Sequence, residues 1–471
     1  MDLAMPDGLR VQEKASARRW SLPAGWEVLV VFLVSLAASV VNDKLCLAFF
    51  GASTAGLVYR HRKSPASVFG IILSANCQVP FLRRIHDLFH GFSPGSVILI
   101  GAYTAFPVLG LLIVRDLPQI RKERYIPVVL AAVGVLWAYC VGVMNAGMVP
   151  ASIQLLQYSS GPIVFAYLVT QSEKIDLPTL CRWLLVLGGI EAAYGLYQWV
   201  SPPAWDVLWF NGAKMQAAGG LPIPFQMRTF GTLNSGSPYS YFLFFILVAT
   251  VGTPRFLFVS PLMVGALATT MGRAAWGATA LGWTATWMLS RAMDKGRILL
   301  AVGGTLGVVL LMALPFSARL VDLTHRFQSI NNLKGDSSFR DRSGLLDAAV
   351  AAGAFEDPVG VGLGSTGTAA RQTGQGIAGI DNGFLQTVWM YGWTGSLFYL
   401  GGFFWGMVRG LWRSRTLTLL ELPFAGAVVG LFAANLFESS FDDMKGVMLW
   451  ASLGIINIKR MGKGSATPGT E

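Results

Sequence analysis

The stretch RKERYIPVVLAAVGVLWAYCVGVM, residues 121–144, opens with three cations and carries no charge after Arg124. A helix crossing a hydrocarbon layer roughly 30 Å thick needs about 20 apolar residues. Helices suit that layer because they satisfy their own backbone hydrogen bonds. Arg121, Lys122 and Arg124 would then anchor this span on the cytoplasmic side. The same pattern recurs outward in both directions. Spans are predicted at 26–42, 44–59, 65–80, 95–114, 125–144, 151–170 and 181–200, then at 237–252, 256–271, 274–290, 298–315, 385–408, 416–436 and 446–458. The basic tail with Arg10, Lys14, Arg18 and Arg19 starts inside. Alternation from there puts every basic connection, 60–63, 115–124, 174–182, Arg255, 291–297, 409–415 and 459–463, in the cytoplasm. The expectation is an all-α integral membrane protein with about 12–14 transmembrane helices and both termini inside.

Composition agrees. Hydrophobic residues make up 53% of the 471 and charged residues 13%, which excludes an ordinary soluble domain. The net charge of +11 is no nucleic-acid signal, because much of it lies in anchors such as Arg60, Arg62 and Lys63, whose partners are membrane lipids. Cys46, Cys77, Cys140 and Cys181 lie in or beside apolar spans without a CxxC pair. They read as core fillers, with neither a disulfide framework nor a zinc site. The first apolar stretch lacks a small-residue cleavage site and reads as a retained span.

The chain divides into a basic tail (1–25), a helical region (26–315) with a smaller outward loop at 201–236, a large outward loop (316–384), terminal helices (385–458) and a tail (459–471). The smaller loop opens with Trp199, Trp205, Trp209 and Phe210, which suggests an element lying on the interface. The larger is long for a loop without function and is expected to hold short helices, one entering near Ser343.

Seven arginines break the charge rule by falling in or beside the outward-facing segments of the second half: Arg228, Arg273, Arg319, Arg326, Arg340, Arg342 and Arg371. Clustered guanidiniums suit a diphosphate group. Arg273, in TTMGRAAWG, stands where an intramembrane charge is usually functional, although snorkelling to the interface would also place it there. Arg340-Asp341-Arg342 precedes a predicted helix whose first amides add anion donors, against the blander reading of a solvated pair. Two motif matches are set aside. Gly362-Leu-Gly364-Ser-Thr-Gly367 satisfies GxGxxG but lacks the strand and βαβ unit of a dinucleotide site, and reads as a turn. His86-Asp87-Leu-Phe-His90 imitates a zinc-protease helix, yet Phe81, Ile85, Leu88 and Phe89 oppose Arg83, Arg84, His86 and His90, as in an amphipathic interfacial helix. Asp442-Asp443 is adjacent where a DxD pair would be spaced, and reads as a solvated turn. No matching interrupted helices, the mark of an inverted-repeat carrier, stand out in the two halves.

Five pieces occur in order: Glu191-Ala-Ala-Tyr194-Gly-Leu-Tyr-Gln198, Arg228-Thr-Phe-Gly-Thr-Leu-Asn234, the Met271–Trp276 turn, Arg340-Asp341-Arg342 with Pro358-Val-Gly-Val-Gly-Leu-Gly364, and Asp381-Asn382 before a span. With these the chain resembles the O-antigen ligase and Wzy-type polysaccharide polymerase superfamily over about residues 180–400. Ligases of that superfamily usually carry His-Asn where this chain has Asp381-Asn382, which favours a polymerase over a lipid A–core ligase. The resemblance implies a GT-C-like membrane glycosyltransferase, with the large loop in the periplasm of a bacterial inner membrane. Its donor would be a glycan on undecaprenyl diphosphate, its acceptor a glycan or lipid-anchored sugar, and other polysaccharide export proteins its partners. Neither cofactor nor metal is implied.

In that scheme an acceptor hydroxyl attacks the anomeric carbon and the lipid diphosphate leaves. Fixed guanidiniums help most as the leaving group gains charge. Arg273, Arg340 and Arg342 are assigned that work, and Asp381 takes the acceptor proton, with Asp341 or Glu438 as substitutes. Arg228, Arg371, Asn382, Asp341 and the intramembrane Glu191 are assigned to substrate binding or orientation. The rival readings are a carrier for an anion or lipid-linked glycan and a scaffold in an export complex.

Overall fold

Long apolar runs become helices throughout. The computed structural model describes residues 24–116, 122–315, 356–367 and 380–458, with isolated positions at 344, 347, 350, 351 and 353. Its helices are α1 (Gly25–Val41), α2 (Asp43–Arg60), α3 (Pro65–His90), a 3-10 segment (Val97–Tyr103) leading into α4 (Ala105–Asp116), α5 (Ile126–Asn145), α6 (Met148–Thr170), α7 (Leu177–Val200), the short α8 (Ala204–Gly212), α9 (Gly236–Ala249), α10 (Phe256–Thr269), α11 (Arg273–Leu289), α12 (Ala292–Ala313), α13 (Gly383–Trp412), α14 (Leu422–Ala434) and α15 (Asp443–Asn457). Among the described residues the β-structure amounts to one isolated bridge, Gly220 with Met227. Five stretches are long and apolar enough to cross a membrane: Pro65–His90, Val97–Asp116, Ile126–Asn145, Leu177–Val200 and Ala292–Ala313. This is an all-helical chain of membrane-protein type.

Hydrogen bonds gather alternate connections at opposite ends of the bundle. At one end Glu27 pairs with Arg60 at 3.1 Å, the Tyr167 hydroxyl donates to Arg62 O at 3.0 Å, Gln171 to Asp116 at 2.7 Å, and Arg413 to Asn457 O at 3.1 Å. This end carries Arg60, Arg62, Lys63, Arg255, Arg291, Arg297 and Arg409 and is called the basic end below. At the opposite end the Thr229 amide donates to Thr269 O at 3.3 Å, Asn382 to Leu436 O at 3.0 Å, and Lys445 to Glu438 at 3.0 Å.

Two predicted elements differ. The span expected at 65–80 continues to His90, so the sequence 81–90 is the last part of α3 and no separate interfacial helix. Its polarity is also reversed: Arg83, Arg84 and Asp87 are buried, while Leu88 and Phe89 are exposed. The span expected at 385–408 is not one straight helix. Phe384 and Phe404 would stand about 30 Å apart along a straight helix, yet their ring centroids are 6.2 Å apart, and the Ser396 hydroxyl donates to Thr387 O at 3.2 Å. The chain reverses at Gly392 (φ 61), a conformation that glycine adopts without a Cβ clash. Residues 383–391 thus form a half-helix folded back on the rest of α13.

The reversal frees backbone groups that cannot go unpaired inside a bundle. The segment 358–364 takes them up: the amides of Val361 and Gly362 donate to Trp389 O and Met390 O at 3.1 and 2.9 Å. The Leu363 amide donates to Ala138 O on α5 at 2.8 Å, and Gln154 on α6 grips Gly364 and Thr366. The glycine-rich GxGxxG stretch is therefore an extended wedge driven between α5, α6 and α13, beyond the simple turn expected.

Candidate functional site

Unequal helix lengths create a step opposite the basic end. A Cβ on Gly161 of α6 would lie 2.7 Å from Gly446 O in the first turn of α15. From that level α6 continues outward to Met148, about 20 Å at 1.5 Å per residue. In the same way Tyr239, in the first turn of α9, donates to Glu191 O at 2.9 Å, and α7 runs on to Val200, about 13 Å further. The helices α9, α10, α14 and α15, of 14, 14, 13 and 15 residues, therefore end well below their neighbours.

Charged and polar groups collect on this floor. Arg273 begins α11 directly after the Met271–Gly272 turn, where Met271 holds a left-handed φ of 56°. Thr229, beside Arg228, bonds to Thr269 through both its amide and its hydroxyl, the latter at 2.8 Å. Both arginines are half-buried. Glu438, between α14 and α15, accepts from the Ser237 hydroxyl of α9 and from Lys445. Asn382 caps the half-helix, accepting from the amides of Phe384 and Leu385 at 3.1 and 3.0 Å while donating to Leu436 O. It holds the exposed Asp381 at the edge of the same turn. Asn435, which nothing in the sequence singled out, is the joint: its backbone carbonyl accepts from the Gly383 amide at 2.8 Å and its side chain from the Ser440 amide at 2.9 Å.

Asp442 and Asp443 are not the solvated turn expected. Both are half-buried, and Asp443 accepts from the Tyr103 hydroxyl.

The Glu191–Gln198 piece is a scaffold for the loop carrying Arg228. Glu191 is buried; its carboxylate accepts from the Thr232 amide at 3.0 Å and from the Thr232 hydroxyl. Gln198 accepts from the amides of Phe230 and Gly231 at 2.8 and 3.1 Å and donates to Asp206 at 2.7 Å. Asp206 pairs with Arg84, which is 1% exposed, and Arg84 reaches Gly231 O at 3.0 Å. The side chain of Glu191 is thus occupied in positioning a loop. The aromatic element after it is likewise turned inward: Trp209 and Phe210 are buried against Phe92, Met227 and Phe230.

Arg319, Arg326, Arg340, Asp341, Arg342 and Arg371 lie outside the described residues. Gly344, Asp347, Val350 and Ala351 are helical, at the short helix expected after Ser343. Of the cysteines, Cys46, Cys77 and Cys181 are buried and Cys140 is exposed, so the core-filler reading fails at Cys140. His86 and His90 contact Ser39 O and Val40 O at 2.7 and 2.9 Å. Among the described residues no group of three or more His, Cys, Asp or Glu side chains could hold a metal ion. Compared with known protein families the chain matches no family model, and no curated protein matches it significantly.

Proposed function

We propose that the chain is a polymerase of polysaccharide repeat units, transferring a glycan from undecaprenyl diphosphate to an acceptor sugar hydroxyl at the outward side of the bacterial cytoplasmic membrane. The observation that carries this reading is the set of turns opposite the basic end that carry Arg228, Arg273 and Asp381 beside the Lys445–Glu438 pair. A site for a lipid headgroup must lie below the mouth of the bundle, and a diphosphate needs fixed cations there. Basic connections concentrated at the other end support a cytoplasmic placement of that end. Arg273 would stabilise the leaving diphosphate, Arg228 and Asn382 would orient the donor, and Asp381 would accept the acceptor proton, with Glu438 as substitute. Arg340, Arg342 and Arg371 join them through the resemblance alone.

The discontinuous α13 is a feature that carriers use to bind ions. Here the freed carbonyls of Trp389 and Met390 are already taken by the wedge, which favours a structural role for the break. The test is glycan length on lipid-linked oligosaccharide in cells carrying Arg273→Ala or Asp381→Ala, after membrane expression is verified. Single repeat units accumulating at the expense of polymer support the proposal. Polymer of normal length left unattached to its acceptor indicates a ligase, and no change in either rejects an enzymatic role for these residues.

A further inference from the structure

The α5–α13 pair ends in cations at the basic end. The two helices run antiparallel in backbone contact. A Cβ on Gly134 would lie 2.6 Å from Gly395 O, and one on Gly402 would lie 2.3 Å from Pro127 O. Pro127 stands in the first turn of α5, yet α13 runs on from Gly402 to Trp412, about 15 Å at 1.5 Å per residue. Arg409 comes about two turns after Gly402 and so shares the flank of α13 that meets α5. Arg413 follows one turn later. It is held in place, donating to Asn457 O at 3.1 Å, while Asn457 donates to Gly406 O at 2.9 Å. On the other side Arg124 precedes α5, whose entry is fixed by a 2.7 Å hydrogen bond between the hydroxyls of Tyr125 and Thr170. The charges acting on Arg413 are those of Arg409 and Arg124, with Glu421 opposing them. Glu421 is itself turned to Thr418, accepting from its amide and its hydroxyl at 2.8 Å. All three arginines are half-buried.

Apolar surface adjoins these cations on both helices. Trp405 and Trp412 are 53% and 85% exposed, with Val408 exposed between them, and Val129, Val133 and Leu136 are exposed on α5. Tryptophan suits the headgroup level of a bilayer, and basic pockets between spanning helices suit anionic lipid headgroups. We infer that this junction binds a phospholipid with two phosphates, of the diphosphatidylglycerol class. Cations stand on both walls, Arg124 on one and Arg409 and Arg413 on the other. Two phosphates joined by a short glycerol bridge can each meet a guanidinium there, whereas a single phosphate leaves one wall unmatched. Four acyl chains need more apolar cover than one helix provides, and the exposed faces of α5 and α13 supply it together. The junction lies at the opposite end of the bundle from the turns proposed for glycan transfer.

Native mass spectrometry of the full chain, released from nanodiscs that mix phosphatidylethanolamine, phosphatidylglycerol and diphosphatidylglycerol, reads the retained lipid directly. Diphosphatidylglycerol should be retained over phosphatidylglycerol by at least about tenfold. Arg124→Gln with Arg409→Gln should lower that retention about thirtyfold, at about fivefold per cation near the membrane surface. Arg291→Gln with Arg297→Gln removes the same charge from the same end, at α12, and should leave retention unchanged. Equal loss in both double variants, or equal retention of phosphatidylglycerol, means general attraction to a basic surface and overturns the inference. Arg124→Lys with Arg409→Lys keeps both charges and should still retain the lipid; loss there as well would mean that these side chains serve packing, and also overturns it. Displacement of the lipid by inorganic phosphate alone would mark a site for a soluble anion and reject the phospholipid.

Discussion

Substituting Gly142 with alanine should dislodge the glycine-rich wedge. A Cβ at that position would lie 2.6 Å from the Leu363 nitrogen and 2.8 Å from its carbonyl carbon, where ordinary contact begins near 3.4 Å. Both neighbours are backbone, so no side-chain rotation relieves the overlap. The wedge is also pinned at Leu363, Gly362 and Val361 by hydrogen bonds of 2.8, 2.9 and 3.1 Å. Overpacking that side chains can absorb costs about 1–3 kcal/mol, which sets a floor here. Releasing the wedge forfeits three backbone hydrogen bonds at about 1 kcal/mol each and the burial of Leu363 at about 2 kcal/mol, a ceiling near 5 kcal/mol. At about 1.4 kcal/mol per tenfold, an intermediate cost of about 3–4 kcal/mol raises wedge opening by roughly two to three orders of magnitude. Hydrogen–deuterium exchange reads this directly. Protection over residues 361–363 should fall by that factor, while the core of α9 exchanges as in the wild type. Unchanged protection at 361–363 in a folded Gly142→Ala protein would refute the wedge.

Two further outcomes follow from the buried groups. Arg84→Ala leaves Asp206 charged and buried and should cost about 3–5 kcal/mol, read as thermal stability in detergent; adding Asp206→Asn should recover part of it, and additive losses would deny the pairing. Glu191→Ala should expose the Thr232 amide to exchange while Glu191→Gln, which keeps an acceptor oxygen, protects it, so equal protection in both variants would remove Glu191 from the loop's support.

Much of the helical order is legible because apolar runs and their basic anchors are local signals: a helix overlaps each predicted stretch. What escaped is set by contacts distant in sequence. The reversal at Gly392 follows from the amides of Val361 and Gly362 arriving to pair with Trp389 and Met390, and no periodicity within 385–408 reports that. The pattern at 81–90 does form two faces, but each meets the opposite environment to the one its polarity suggests. Polarity alone cannot tell that Arg84 will meet Asp206 far along the chain, leaving the apolar face outward. The Asp442-Asp443 turn was misread for the same reason, since Tyr103, the partner that covers Asp443, belongs to the 3-10 segment. Glu191 and Gln198 were noticed as a motif, yet their role as supports for the Arg228 loop depends on backbone amides that every residue possesses.

Helix length explains how a membrane protein can keep these charges. A helix of 13 to 15 residues spans only about 20–22 Å, short of a hydrocarbon core of roughly 30 Å. Alone in lipid it would bring its terminal charges into the apolar layer, where they are expensive. Here α9, α10, α14 and α15 end together beside the longer α6 and α7, so their ends meet one another below the ends of those neighbours. Glu438 then meets Lys445 and Ser237, and Asp443 meets Tyr103. Lengthening α14 or α15 by a turn would lift this floor and separate Glu438 from Ser237 and Asn382 from Leu436. The shortness of these helices, which makes them weak as candidate spans, is what sets these charges below the ends of α6 and α7 with partners already in place.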